Sequence, residues 1–296
     1  MTGAVRKPVD TSAGSLMVLL CAVWGCSHVV TKLAAPDVSL LMQAALRSSL
    51  ATVLLFLWTR IRRVPLFDGD GTLWPGIVAG LLFAGEFLFI FAGLAHTTAS
   101  RMVVFVYLSP ILTAVGIHVF VPGERLNGVQ WLGVLLAFAG IGTAFGEGFA
   151  AASSSLLGDA FGVLAAVFWA ATTVWIRATR LTRTGAEKVL FYQLAVSAGV
   201  LLVASPLAGE PGVVRWSTTA IAALVFQGGV VAFATYLAWF WLLTRYRAAN
   251  LSVFGFLTPL LGVAAGVIVL GDPLTPAFLA AIALVGAGIA LVMRKA

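Results

Sequence analysis

Residues 147–159, EGFAAASSSLLGD, divide the chain into two apolar blocks of nearly equal length. The stretch is short and rich in alanine and serine, and it carries two acids and no base. The block after it resembles the block before it. Trp24, Val29 and Lys32 stand 145 positions before Trp169, Val174 and Arg177. Further along, Ser109-Pro110 answers Thr258-Pro259 at an offset of 149, and Gly123-Glu124 answers Gly271-Asp272 at 148. Gly140-Ile141 answers Gly288-Ile289, again at 148. A self-similarity whose offset drifts so little over the whole chain marks a tandem duplication with small loop changes. The expected units are residues 1–148 and 149–296.

Composition sets the solvent. Apolar residues make up 61% of the 296 positions and charged ones 10%, and mean hydropathy is +1.05. Globular domains in water are about half apolar, so the chain is expected to be an integral membrane protein whose partner is the lipid bilayer. A formal charge of +7 does not indicate nucleic acid, because the bases stand at the ends of apolar runs, where they mark topology. Cys21 and Cys26 lie five residues apart in one apolar run. They point in different directions there, which gives disulfide chemistry no support. Arg6-Lys7 before an apolar run mimics a signal peptide, but the run 15–35 is too long for one and has no small-residue cleavage site. It reads as a first transmembrane helix, and no separate soluble domain or cofactor module is expected.

Ten apolar segments separate at roughly 14–35, 39–59, 73–95, 99–121 and 127–146, then 156–178, 187–206, 217–243, 247–270 and 275–293. Each reaches or approaches the ~20 residues that a helix needs to cross ~30 Å of hydrocarbon. With the N-terminus in the cytoplasm, fourteen Lys and Arg residues fall on the inside and only Lys32, Arg101 and Arg215 fall outside. That asymmetry puts both termini inside. A unit of five crossings is odd, so its second copy enters from the opposite face. The expected fold is therefore an all-α membrane protein of ten transmembrane helices, arranged as two inverted five-helix repeats about a pseudo-two-fold axis in the membrane plane.

The repeat ends carry a further signal. The first block runs SPIL, then GERLNGVQWLGVLLAFAGI, and the second TPLL, then GDPLTPAFLAAIALVGAGI. Over almost its whole length the chain resembles the EamA-type members of the drug/metabolite transporter superfamily, and within it the bacterial inner-membrane exporters of aromatic amino acids. The departure is Asp272-Pro273, where the family often shows Glu and another residue; an acid still stands before the last segment. The resemblance implies a transporter in a bacterial-type inner membrane.

Several residues inside the segments are candidates for handling a substrate. Glu86 is the only acid well inside a segment, and an intramembrane acid is by default a functional hypothesis. It is positioned to accept an ammonium group or to carry a proton. The alternative is a packing role, neutral or paired with Arg47 of the second segment. Helical spacing puts Phe83, Glu86, Phe87 and Ile90 on one face. The 149-residue offset maps that face onto Ala232, Thr235, Tyr236 and Trp239. Such walls suit an ammonium group attached to a flat apolar body, although aromatics at this spacing also serve as packing. Trp24 and Trp169 are repeat-equivalent and stand in mid-segment, away from the interfaces that Trp prefers. We expect both to line one cavity. His28 shares the face of Trp24, as a polar liner or a packing histidine. Pro110 and Pro259 interrupt the fourth and ninth segments at matching positions; they are candidate gate pivots or static bends, with Tyr107 and Thr258 beside them. Gly142-xxx-Gly146 and Gly286-xxx-Ala290 form small-residue ridges expected to mediate contacts within a monomer.

No P-loop, HExxH, nucleophile elbow or intramembrane acid pair is present in the sequence, so neither direct ATP coupling nor enzymatic chemistry is expected. No metal site and no cofactor are expected either. The expected function is secondary export of small amphipathic metabolites, foremost aromatic or other apolar amino acids, by a protein functional as a monomer. The alternatives are an exporter of drugs or cationic metabolites, an inward permease, and a membrane sensor that binds without transporting.

Overall fold

In an apolar solvent every backbone N–H and C=O must find its partner within the protein, and helices achieve this segment by segment. The computed structural model, which describes residues 7–94, 96, 99–121, 124–151, 156–270 and 276–293, is helical throughout these apolar runs. The first block gives α1 (Thr11–Ala34), α2 (Leu40–Ile61), α3 (Leu73–Leu94), α4 (Ala99–Val106), α5 (Ser109–Phe120) and α6 (Gly128–Ala151). The second gives α7 (Leu156–Ala178), α8 (Ala186–Leu207), α9 (Thr218–Val225), α10 (Tyr236–Arg245), α11 (Ala248–Ser252), α12 (Leu257–Leu270) and α13 (Pro276–Met293). Among the described residues there is no strand, only two isolated bridges, Lys7 with Tyr246 and Val38 with Val213. Among the described residues, six helical stretches of 21 to 28 residues are long and apolar enough to span a membrane, and four shorter apolar helices accompany them. The chain is a multi-pass membrane protein.

The two blocks interlock. Helix α13 lies along α6, α2 against α8, α3 between α7 and α8, and α1 along α12, so each of these contacts joins one block to the other. The backbones approach closely where α6 meets α13. A Cβ on Gly133 would lie 2.5 Å from the carbonyl oxygen of Gly288, and one on Gly288 equally close to that of Gly133. The expected ridges are displaced from this contact. Gly142, Gly146 and Gly286 face open space, with nothing within 4 Å of where a methyl group would stand. The repeat motif at Gly140-Ile141 and Gly288-Ile289 makes the seam instead, because ~100° per residue turns Gly142 and Gly286 away from it.

Two segments depart from a single α-helix at matching places. The fourth breaks at Tyr107-Leu108, between α4 and α5, and Pro110 opens α5. The ninth passes from α11 through a 3₁₀ turn, Val253–Phe256, into α12, whose first turn holds Pro259. Proline lacks an N–H and its ring crowds the carbonyl four residues back, so the helix restarts at the proline instead of running through it. Tyr107 and Phe256, repeat-equivalent at an offset of 149, sit in the two breaks and meet ring to ring at 6.3 Å. Between α9 and α10, Phe226–Thr235 winds as a π-helix, whereas the equivalent part of α3 is regular α-helix.

Charged and polar loop residues tie the helix ends together. At one end Asp37 accepts hydrogen bonds from Arg215 (2.8 Å) and Ser217 (2.5 Å). These bonds, that from the Ser217 hydroxyl foremost, hold its carboxyl below the usual range. Beside it Glu210 accepts from the backbone N–H groups of Leu41 and Met42 at 3.0 and 3.2 Å, an anion placed on the free N–H groups at the start of α2. At the other end Lys188 reaches Asp68 and Asp70. The Thr72 hydroxyl donates to Asp70 at 2.5 Å, and this bond, with Lys188, holds the Asp70 carboxyl down to about 2. Arg177 bridges Glu124 at 3.4 Å and the Tyr246 carbonyl at 2.5 Å, and Ala248 N–H donates to the same Glu124 oxygen. Each cluster joins the two blocks.

Candidate substrate site

The interior of α3 presents Phe83, Glu86 and Phe87 to the second block. Phe83 packs edge to face on Phe87 (centroids 5.1 Å apart) and on Tyr236 (6.0 Å, 88°). From α1, Trp24 meets Tyr236 at 6.1 Å and Trp239 at 6.0 Å, both edge to face, the geometry that ring quadrupoles prefer. Its indole Nε1–H donates to Thr235 Oγ1 at 2.8 Å, and that hydroxyl donates to the Val231 carbonyl at 2.6 Å. Thr235 thus closes the π-helical stretch and orients Trp24. The extra residue per turn in a π-segment shifts the side chains that follow it round the axis, a device common at functional sites.

Glu86 is 8% exposed within this ring cluster. Arg47 of α2 lies within electrostatic reach of it, with its guanidinium 4.2 Å over the Phe87 ring and against the Tyr236 side chain. No ion pair joins Glu86 to Arg47 among the described residues. Arg47 stands about 10 Å from the start of α2 and Glu86 about 12 Å from the end of α3, at ~1.5 Å per residue. In two successive helices that cross in opposite directions they therefore share nearly one depth.

The structure brings Phe83, Glu86, Phe87, Trp24, Tyr236 and Trp239 into one constellation drawn from both blocks. Tyr107 and Trp169 form a neighbouring group, with rings 5.9 Å apart. Tyr107 also faces Thr258 of α12, which touches the buried Cys21 thiol of α1 as well. Pro110 and Pro259 flank this second group through the breaks described above. The two cysteines are free. The side chain of His28 lies outside the described residues, as do Gly123 and Asp272-Pro273.

The contacts of two residues, Thr235 and Arg47, and one backbone feature escaped the reading of the sequence. Thr235 was legible only as the repeat equivalent of Glu86, and its bond to Trp24 joins residues 211 positions apart. The π-helix has no simple compositional mark. Arg47, the one base well inside an apolar segment, was the partner weighed for Glu86, but spacing alone does not show that it lies over the Phe87 ring without an ion pair to Glu86.

The chain belongs to the EamA-like transporter family, whose profile matches residues 12–145 and again 156–294. It is 27% identical over 295 residues to the uncharacterized transporter YvbV of Bacillus subtilis strain 168, covering 98% of this chain and 94% of that one. To a probable amino-acid metabolite efflux pump of Escherichia coli K12 it is 25% identical over 269 residues, with 88% of each chain covered. One crystal structure superimposes with a TM-score of 0.81 over 95% of this chain and 96% of its own, at 21% identity. That likeness concerns the fold.

Proposed function

We propose that the protein is a secondary transporter that exports small amphipathic metabolites, foremost aromatic or other apolar amino acids. Ten transmembrane helices would form two inverted repeats, residues 1–148 and 149–296, with both termini on the cytoplasmic side of a bacterial-type inner membrane. Substrate would bind between the repeats, and rocking of one against the other would expose it to each side in turn. The protein would work as a monomer, without cofactor or metal.

The observation that carries this reading is Glu86, a buried acid walled by Phe83, Phe87 and Tyr236. A carboxylate beside ring faces offers a charged partner to an ammonium group and stacking surface to an apolar side chain. The efflux-pump relative from E. coli supports the substrate class, and the breaks before Pro110 and Pro259 offer places where the helices can pivot. The test is flux of labelled phenylalanine and tryptophan in proteoliposomes, with and without an imposed pH gradient. Saturable flux that falls in a well-folded Glu86→Gln protein is expected. Binding without net flux in the wild type would make the protein a sensor, and wild-type flux in Glu86→Gln would remove Glu86 from the mechanism.

A further inference from the structure

Arg47 is a cation deep in an apolar helix. Its Nε and Nη2 are buried and make no hydrogen bond. A guanidinium so placed is costly unless it has a partner. The Phe87 ring at 4.2 Å stabilises its positive charge, but a ring face uses none of its in-plane N–H donors. Glu86 is near enough to be felt electrostatically and yet forms no ion pair with it. The Tyr236 side chain also hydrogen-bonds Arg47, but the Arg47 Nε and Nη2 stay unused, so the site holds an acid and a base side by side with neither saturating the other.

We infer that Arg47 is the carboxylate subsite of the substrate site, so that Arg47 and Glu86 together read a zwitterion. This rests on the function proposed above and names the second of its two polar contacts. An amino acid carries its carboxylate and its ammonium on one carbon, so both ends are presented to one small region. The planar guanidinium fork matches a carboxylate in two parallel hydrogen bonds, while Glu86 takes the ammonium. Charge balance selects among anions. A zwitterion adds no net charge to the buried site, whereas a phosphate dianion or a simple carboxylate would add negative charge to a low-dielectric interior. A plain amine satisfies Glu86 but leaves the buried Nε and Nη2 of Arg47 without an acceptor. The aromatic side chain then lies against Phe83 and Tyr236.

The experiment compares phenylalanine, phenylethylamine and phenylalaninamide as substrates and competitors in proteoliposomes of the wild type, Arg47→Gln and Arg47→Lys. The wild type should favour phenylalanine over phenylalaninamide by at least about tenfold, the scale of a lost charge-assisted pair. Arg47→Gln should reduce the ratio of phenylalanine to phenylethylamine affinity by at least about tenfold. Arg47→Lys, which keeps the charge but loses the fork, should reduce it less. Folding is monitored by monodispersity and melting temperature, and Arg47→Lys carries the comparison where Arg47→Gln does not fold. Equal losses for the amino acid and the amine in a folded variant, or a wild type that takes the amide as readily as the acid, would overturn the inference and leave amino-acid export standing. A wild type that moves none of the three would sink the export reading and this subsite together.

Discussion

Gly25 stands next to Trp24 where α1 crosses α12, and the structure predicts the cost of adding one methyl group there. A Cβ at Gly25 would lie 2.6 Å from the Gly262 nitrogen and 2.8 Å from the Thr258 carbonyl oxygen, both short of ordinary contact at 3.4 Å. Both obstacles are backbone, so no rotamer change relieves them, and one helix must move by ~0.5–1 Å before the repulsion is spent. Overpacking of this kind costs about 1–3 kcal/mol. Against it, alanine is favoured over glycine inside a helix by about 1 kcal/mol. Because both obstacles are backbone, the cost lies in the upper part of that range, about 2–3 kcal/mol. Overpacking therefore wins, and Gly25→Ala should lose about 1–2 kcal/mol, a melting temperature lower by roughly 2–8 °C. Gly142→Ala is the matched control, because nothing lies within 4 Å of its Cβ position; only the propensity gain acts, and it should be neutral or up to about 1 kcal/mol more stable. Thermal unfolding of the two purified variants in one detergent reads the difference. If Gly25→Ala melted at or above the wild type, the close crossing of α1 and α12 would be refuted. Flux should fall with it, since the same shift moves Trp24 against Thr235.

Trp24→Phe removes the indole donor to Thr235 but leaves the Thr235 bond to Val231. It should cost about 0.5–1.5 kcal/mol in unfolding and lower substrate affinity in the flux assay; unchanged values in both would deny the bond any role. The Asp70 carboxyl is held down to about 2, so its stabilising bonds are complete above pH ~4 and are lost as pH falls from there towards 2. Melting temperature should therefore drop more steeply over that window in the wild type than in Asp70→Asn, and parallel curves would count against the Thr72 and Lys188 bonds. Topology is checked by labelling single cysteines in a protein lacking Cys21 and Cys26. Ser153→Cys should react with an impermeant reagent from outside and Thr184→Cys only from the cytoplasm; labelling of position 153 from the cytoplasm alone would end the inverted-repeat assignment.

The helical class, the placing of the helices and the family likeness were legible in the sequence, because each depends on local or periodic properties. Bilayer thickness sets the length of an apolar run, so the starts of α3 and α7 lie where hydropathy turns apolar. The duplication is a matter of matching letters, and it led directly to Tyr107 and Phe256 as equivalent positions. Glu86 announced itself because one acid within a long apolar run is conspicuous whatever surrounds it. What the sequence alone left open depends on which way each helix face turns. A 3.6-residue period groups Phe83, Glu86 and Phe87 on one stripe, but several neighbours compete for that stripe. Only the packing of α3 against the second block puts it opposite Tyr236. Likewise the glycine seam falls at Gly133 and Gly288 instead of Gly142 and Gly286, since those positions stand about half a turn away round their helices, where contact gives way to open space. The tertiary structure alone decided that Thr235 would orient Trp24 and that Arg47 would lie over Phe87 beside Glu86. Those contacts join residues from far-separated helices, and no local preference of the chain encodes them.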